Sequence, residues 1–138
     1  MLRQTRVLLL ACLLCSSIVV MAQLPHDDGE RTLYNVNIEM PKGYVSGQCV
    51  MLCNGKQLNG TIINEFGVTV MDFVYDETKD KVKLVSVVDM LDKWYIRRVL
   101  RRDLRMVIHG LDREEDTYEN KKCKIKYHFS VQKFCLTE

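Results

Sequence analysis

The chain has 138 residues, 20 basic against 18 acidic, a formal net charge of +2 and a hydrophobic fraction of 47%. That is one domain of ordinary size, long enough to bury a core without staples. The near-neutral balance lacks the strongly basic footprint of a nucleic-acid-binding domain.

The first element is a secretory signal. A short basic start with Arg3 and Arg6 leads into the apolar run Val7 to Val20, and small residues precede Gln23. This order of charged, apolar and small-residue regions predicts cleavage after Ala22. The apolar run is shorter than the roughly 20 residues of a membrane-spanning helix. A competing lipoprotein cut at Cys12, or lipidation at Cys15, is disfavoured because only Val7 to Ala11 precede Cys12. The chain is therefore expected to be exported, in a bacterial chain to the periplasm or the outer-envelope face. In a eukaryotic chain Asn59-Gly60-Thr61 would be a glycosylation acceptor. Cleavage removes two bases and no acid, so the mature chain is balanced in charge. The domain scheme is a signal over 1–22, a flexible leader over 23–32 and a single β-rich domain over 33–138.

Strands follow in order. Leu33 to Met40 alternates weakly before a Pro-Lys-Gly break. Tyr44 to Cys53 reads as a strand, Asn54-Gly55 as a tight hairpin turn, and Gln57 to Glu65 as the returning strand. Phe66 to Asp76 and Lys81 to Asp89 complete a meander, and both look apolar on two faces. Then the period changes. Tyr95, Ile96, Val99 and Leu100 share one arc of a helical wheel, and Arg97, Arg98, Arg101 and Arg105 share the other. Asp89 or Asp92 can cap this helix. Asp103 falls inside the apolar arc, so the pattern predicts a helix ending near Arg102 and a strand over Leu104 to Gly110. Leu111 to Lys122 reads as an acidic loop. Cys123 to Cys135 reads as a one-sided strand with Ile125, Tyr127, Phe129 and Val131 on its dry side. The fold class is α+β, mostly β: an antiparallel meander with one amphipathic helix packed across it.

Four cysteines remain after cleavage: Cys49, Cys53, Cys123 and Cys135. In an exported chain they are disulfide candidates with three connectivities. Cys49 and Cys53 lie four apart on a strand, about 13 Å, too far for a direct bond. Their spacings are not those of zinc ribbons, so no metal site is expected. His26, His109 and His128 stand in no catalytic motif, and Glu65 and Asp72 read as turn and sheet-edge residues. The chain is read as non-catalytic, with no cofactor. The arginine arc beside Trp94 suits either solvent or peripheral contact with a membrane surface. Five methionines of the mature chain favour an adaptable apolar surface.

The run "INEFGVTVMDFVYD", then "KVKLVSVVDMLDKWYIRRVLRRDLRMVI", resembles exported proteins of Gram-negative bacteria that are distantly similar to the LolA/LolB group of lipoprotein carriers and receptors. The similarity spans roughly residues 43–108. It implies a half-barrel with a helix across its open side and an acyl chain in an apolar cavity, without catalysis. A lining of Met51, Met71, Phe73, Tyr75, Tyr95 and Val99 is then expected, with a lipid or lipoprotein as partner. The alternative is an envelope interaction module that docks another protein through an apolar sheet face.

Overall fold

A computed structural model describes residues 24–132. The expected cleavage site after Ala22, and Cys12, Cys15 and Cys135, lie outside the described residues. The described chain forms one antiparallel sheet and one long helix. The strands are β1 (Arg31–Met40), β2 (Gly43–Asn54), β3 (Gln57–Asn64), β4 (Thr69–Asp76), β5 (Lys81–Val87), β6 (Thr117–Asn120) and β7 (Ile125–Val131). The helix α1 spans Trp94–Asp112, after a short 3-10 turn at Asp89–Leu91. The sheet order is β5-β4-β3-β2-β1-β7-β6.

Hairpin chemistry sets the register. The β2–β3 loop is two residues, Gly55 and Lys56, because Asn54 pairs with Gln57. Gly55 sits at φ +61 and Lys56 is not among the positive-φ residues, the signature of a turn that wants glycine first. The turn is thus one residue later than Asn54-Gly55. In the β3–β4 turn, Asn64 Oδ1 accepts the N–H of Phe66 at 3.0 Å and of Val68 at 2.9 Å. In the β4–β5 turn, Asp76 Oδ1 accepts from Thr78 N–H at 2.9 Å.

The strands curl because of what is missing from their inner face. A Cβ on Gly47 would lie 1.9 Å from the Ile63 carbonyl oxygen, and one on Gly60 would lie 2.2 Å from Phe73 Cζ. Register shifts at Ile62/Ile63 and Asp72/Phe73 add local twist. The curled sheet brings both edges to α1, which packs on β5, β6 and β7. The result is the expected antiparallel meander, curled into a half-barrel with the helix closing its gap.

The core fills the space inside this curl. Tyr34, Ile38, Met51, Ile62, Phe73 and Phe129 from the strands are all under 3% exposed, and Leu104, Ile108 and Leu111 meet them from the helix. Each such side chain is worth about 1.5–3 kcal/mol in burial.

Several local expectations are corrected. The helix does not stop at Arg102 and no strand covers Leu104 to Gly110. Asp103 continues the helix although it is fully buried. It can do so because Tyr127 Oη donates to its Oδ2 at 2.7 Å and Asn120 Nδ2 reaches both oxygens at 2.9 and 3.1 Å. The helix N-cap is Lys93, with no side-chain cap, and Asp92 pairs with Arg97 instead. The acidic loop contains strand β6. The outer face of β4 and β5 is mixed rather than apolar. Asp72 bridges it, accepting from Thr61 Oγ1 and Ser86 Oγ at 2.7 Å each. The segment expected as a leader lies along β2: Gly29 N–H bonds the Cys53 carbonyl and Cys53 N–H bonds Glu30. Cys49, Cys53 and Cys123 are free thiols.

Candidate functional site

The hairpins of a meander open alternately on two ends of the sheet. The β2–β3 turn, the β4–β5 turn and the last turns of α1 share one end. There, Leu24 and Pro25 fold over the sheet and are buried. Between this strap, the two turns and the helix lies a cavity of about 340 Å³. Its apolar lining comes from Leu24, Cys53, Leu58 and Ile108, and its rim carries His26, Lys56, Glu77 and Asp112. That volume is at the lower end of the range for small-molecule pockets.

One carboxylate organises the polar wall. Asp80 closes the β4–β5 turn at φ +50, a left-handed conformation that Asp tolerates better than most residues. Its Oδ1 accepts from Tyr75 Oη at 2.7 Å and lies 2.6 Å from His109 Nε2. Its Oδ2 is 3.4 Å from Arg105 Nη1. Tyr75 Oη and His109 Nε2 are themselves 3.4 Å apart. Arg105 and His109 are four apart on α1, so one helix face delivers both groups to the turn.

The electrostatics follow from these contacts. The Tyr75 hydrogen bond, then that of His109, holds the Asp80 carboxyl below the usual range. Burial, and then the Asp80 carboxylate, push Tyr75 up to about 12. At neutral pH the pair is a charged acceptor and a neutral donor. Cys53 is not poised as a nucleophile. Burial raises its pKa, the acids Asp28, Glu30, Asp27 and Glu77 raise it further, and its Sγ lies 3.5 Å from the His26 and Gly55 carbonyl oxygens. A thiolate, not a thiol, does that chemistry. The arrangement offers apolar burial with a fixed, hydrogen-bonding wall. Among the described residues no group of three His, Cys, Asp or Glu side chains is placed to hold a metal. None of the described helices is long and apolar enough to cross a membrane.

The six residues expected to line a cavity separate. Met51, Met71 and Phe73 are at most 1% exposed and pack in the core. Tyr75 shares their face and also lines the end cavity. Tyr95 is 50% exposed and Val99 is partly exposed, so neither joins the buried set. The basic arc separates too. Arg97 is tied to Asp92 and Arg105 to Asp80, while Arg98 and Arg101 face solvent. Asp80, His109 and Leu24 were not singled out from the sequence as site residues. The visible signal was the i, i+4 pair Arg105 and His109, which appears only when the helix is carried past Asp103.

A second hollow of about 680 Å³ opens on the outer face of the sheet. Asn35, Asn37, Gln48, Asn64 and Ser130 make its lining polar. No family model, no curated protein and no solved structure matches the chain.

Proposed function

We propose that the protein is a non-catalytic binding protein of the cell envelope, and that its ligand is an apolar or amphipathic molecule such as a lipid or lipoprotein acyl chain. We place the ligand in the end cavity, with its apolar part against Leu24, Leu58 and Ile108 and its polar end toward Asp80, His109 and Lys56. The observation that carries this reading is one concavity that joins an apolar floor to a preorganised polar wall. The centre of the half-barrel is a poorer seat, because Met51, Met71 and Phe73 fill it themselves. The cavity volume favours a short chain or the tip of a longer one. The resemblance to lipoprotein carriers supports the ligand class.

Isothermal calorimetry with homologous series of fatty acids and alkylamines tests the proposal. Affinity should rise by about 0.8 kcal/mol per added methylene until the cavity is full and then level off. Binding should carry a negative heat-capacity change. The better series tells whether Lys56 and His26, or Glu77 and Asp112, meet the head. Leu58→Trp, which fills the cavity from its apolar lining, should abolish binding while the circular dichroism spectrum is kept. Absence of binding in both series would refute the assignment.

A further inference from the structure

The large exposed apolar side chains gather at the end of the sheet opposite the cavity. The β1–β2 turn closes at Met40 and Gly43, the β3–β4 turn follows Ile63, and β5 ends where Val87 meets Met71. The β6–β7 turn closes at Asn120 and Ile125. All four openings lie on this end. Glu65 N–H bonds the Ser46 carbonyl and Val88 N–H bonds that of Val70, which fixes the turns against one another. Phe66 stands 83% exposed at the β3–β4 tip, Met90 72% in the β5–α1 link, Trp94 75% at the start of α1, and Tyr44 67% beside the β1–β2 turn. Val68 and Tyr95 belong to the same end, and Val85, the last large exposed apolar residue described, lies two residues from it.

Charge is segregated along the same axis. Lys42, Lys93, Lys121, Lys122 and Lys124 stand in the turns of this end, and Arg98 and Arg101 project from the first turns of α1. Its turn acids are Glu65, Asp89 and Asp92, and Asp92 is paired with Arg97. The opposite end carries an excess of acids: Asp27, Asp28, Glu77, Asp80, Glu114 and Glu115 stand in its turns against Lys56, Lys79 and Arg113. A chain with little net charge is thus polarised, basic and apolar at one end and acidic at the other.

The apolar groups stand on separate turns, as pegs on a body that is otherwise well covered. A peptide or protein chain docks more readily along a groove or a flat patch. Separate apolar pegs among lysines match a bilayer interface, where aromatic rings sit at headgroup depth and bases meet anionic lipid. Trp94 and Tyr95 already pack edge to face at 5.8 Å. We propose that this end docks on an anionic phospholipid surface. Phe66, Met90 and Trp94 enter the boundary between headgroups and acyl chains, and Lys42, Lys93, Lys121 and Lys122 lie on the headgroup phosphates. The cavity then opens away from the membrane. This inference is independent of what the cavity holds.

Trp94 is the chain's single tryptophan, so its emission reports this end alone. The full chain is mixed with phosphatidylcholine vesicles with and without phosphatidylglycerol. The expected result is co-sedimentation and a blue shift of Trp94 only where phosphatidylglycerol is present, weakened by added salt. Lys121→Glu with Lys122→Glu should weaken binding by roughly 30-fold or more, since each basic residue near such a surface contributes about fivefold. Phe66→Ser with Met90→Ser should remove the blue shift and leave the thermal midpoint in place, because both side chains are exposed. No binding to anionic vesicles would overturn the proposal. Binding with unmoved Trp94 emission, or binding that survives the two serine substitutions, would overturn it as well and assign attachment to the apolar segment Val7 to Val20. A blue shift with soluble polyglutamate and none with vesicles would assign the face to an acidic protein.

Discussion

Asp103→Ala is the substitution whose cost can be worked out most fully. In the folded chain Asp103 is completely buried and receives three hydrogen bonds from two side chains. Removing the carboxylate leaves the Tyr127 hydroxyl, itself fully buried, with no acceptor, a loss of about 1–3 kcal/mol. Asn120 loses less, because it is only half-buried and can turn to water. Against this, the variant no longer desolvates a carboxyl, and that cost is real: burial raises the Asp103 pKa despite the hydrogen bonds that lower it. The net expectation is about 2 kcal/mol, a fall in Tm of about 8 °C for a domain of this size. Chemical denaturation of the double-mutant cycle with Tyr127→Phe is the assay. In the phenylalanine background, which has no hydroxyl to strand, Asp103→Ala should be milder by about 1–2 kcal/mol. Costs that add to within about 0.5 kcal/mol would show that Asp103 and Tyr127 are not coupled.

Asp103→Asn carries a pH signature. A carboxyl with a raised folded-state pKa stabilises most below its ordinary range and loses that contribution as pH rises through the folded value. The deficit of Asp103→Asn should therefore be largest in acid and narrow toward neutrality, read as urea midpoints across pH. Asp80 has the opposite sign, because its pKa is lowered. The advantage of wild type over Asp80→Asn should be present at neutral pH and vanish as pH falls through the carboxylate range. Gly60→Ala should destabilise by about 1–3 kcal/mol, since its methyl meets the buried Phe73 ring, and Phe73→Leu should recover part of that loss in the double variant. Iodoacetamide labelling of the native chain, followed by peptide mass spectrometry, should mark half-exposed Cys123 well before Cys49, whose burial pushes its pKa up to about 12. Equal labelling of the two would contradict the burial of Cys49.

Local signals made the sheet legible. Alternation along β1, β2 and β7, and the Asn-Gly pair before Gln57, carry their meaning within a few residues. The helix was legible only to Asp103. Its continuation depends on Tyr127 and Asn120, whose places across the gap of the half-barrel no local pattern records. Strand β6 was hidden in the same way, because Thr117 to Asn120 has no large apolar residue except Tyr118 and forms by pairing with β7. The site was least legible. Leu24 reads as part of a leader behind the expected signal, yet becomes a wall of the cavity. Asp80 reads as an ordinary turn residue until the turn is seen against His109 and Arg105. Met71 and Phe73 read equally as core or as ligand lining. The choice depends on how far the sheet curls, and that depends on the two inner glycines.

A native mass spectrum of the protein recovered from the cells that make it shows whether the end cavity carries a ligand. The expected spectrum holds a species heavier than the chain by the mass of an amphipathic ligand, lost on collisional activation and absent from Leu58→Trp prepared in the same way. Bare protein from both would contradict a ligand in the end cavity. An equal adduct on Leu58→Trp would contradict its placement there.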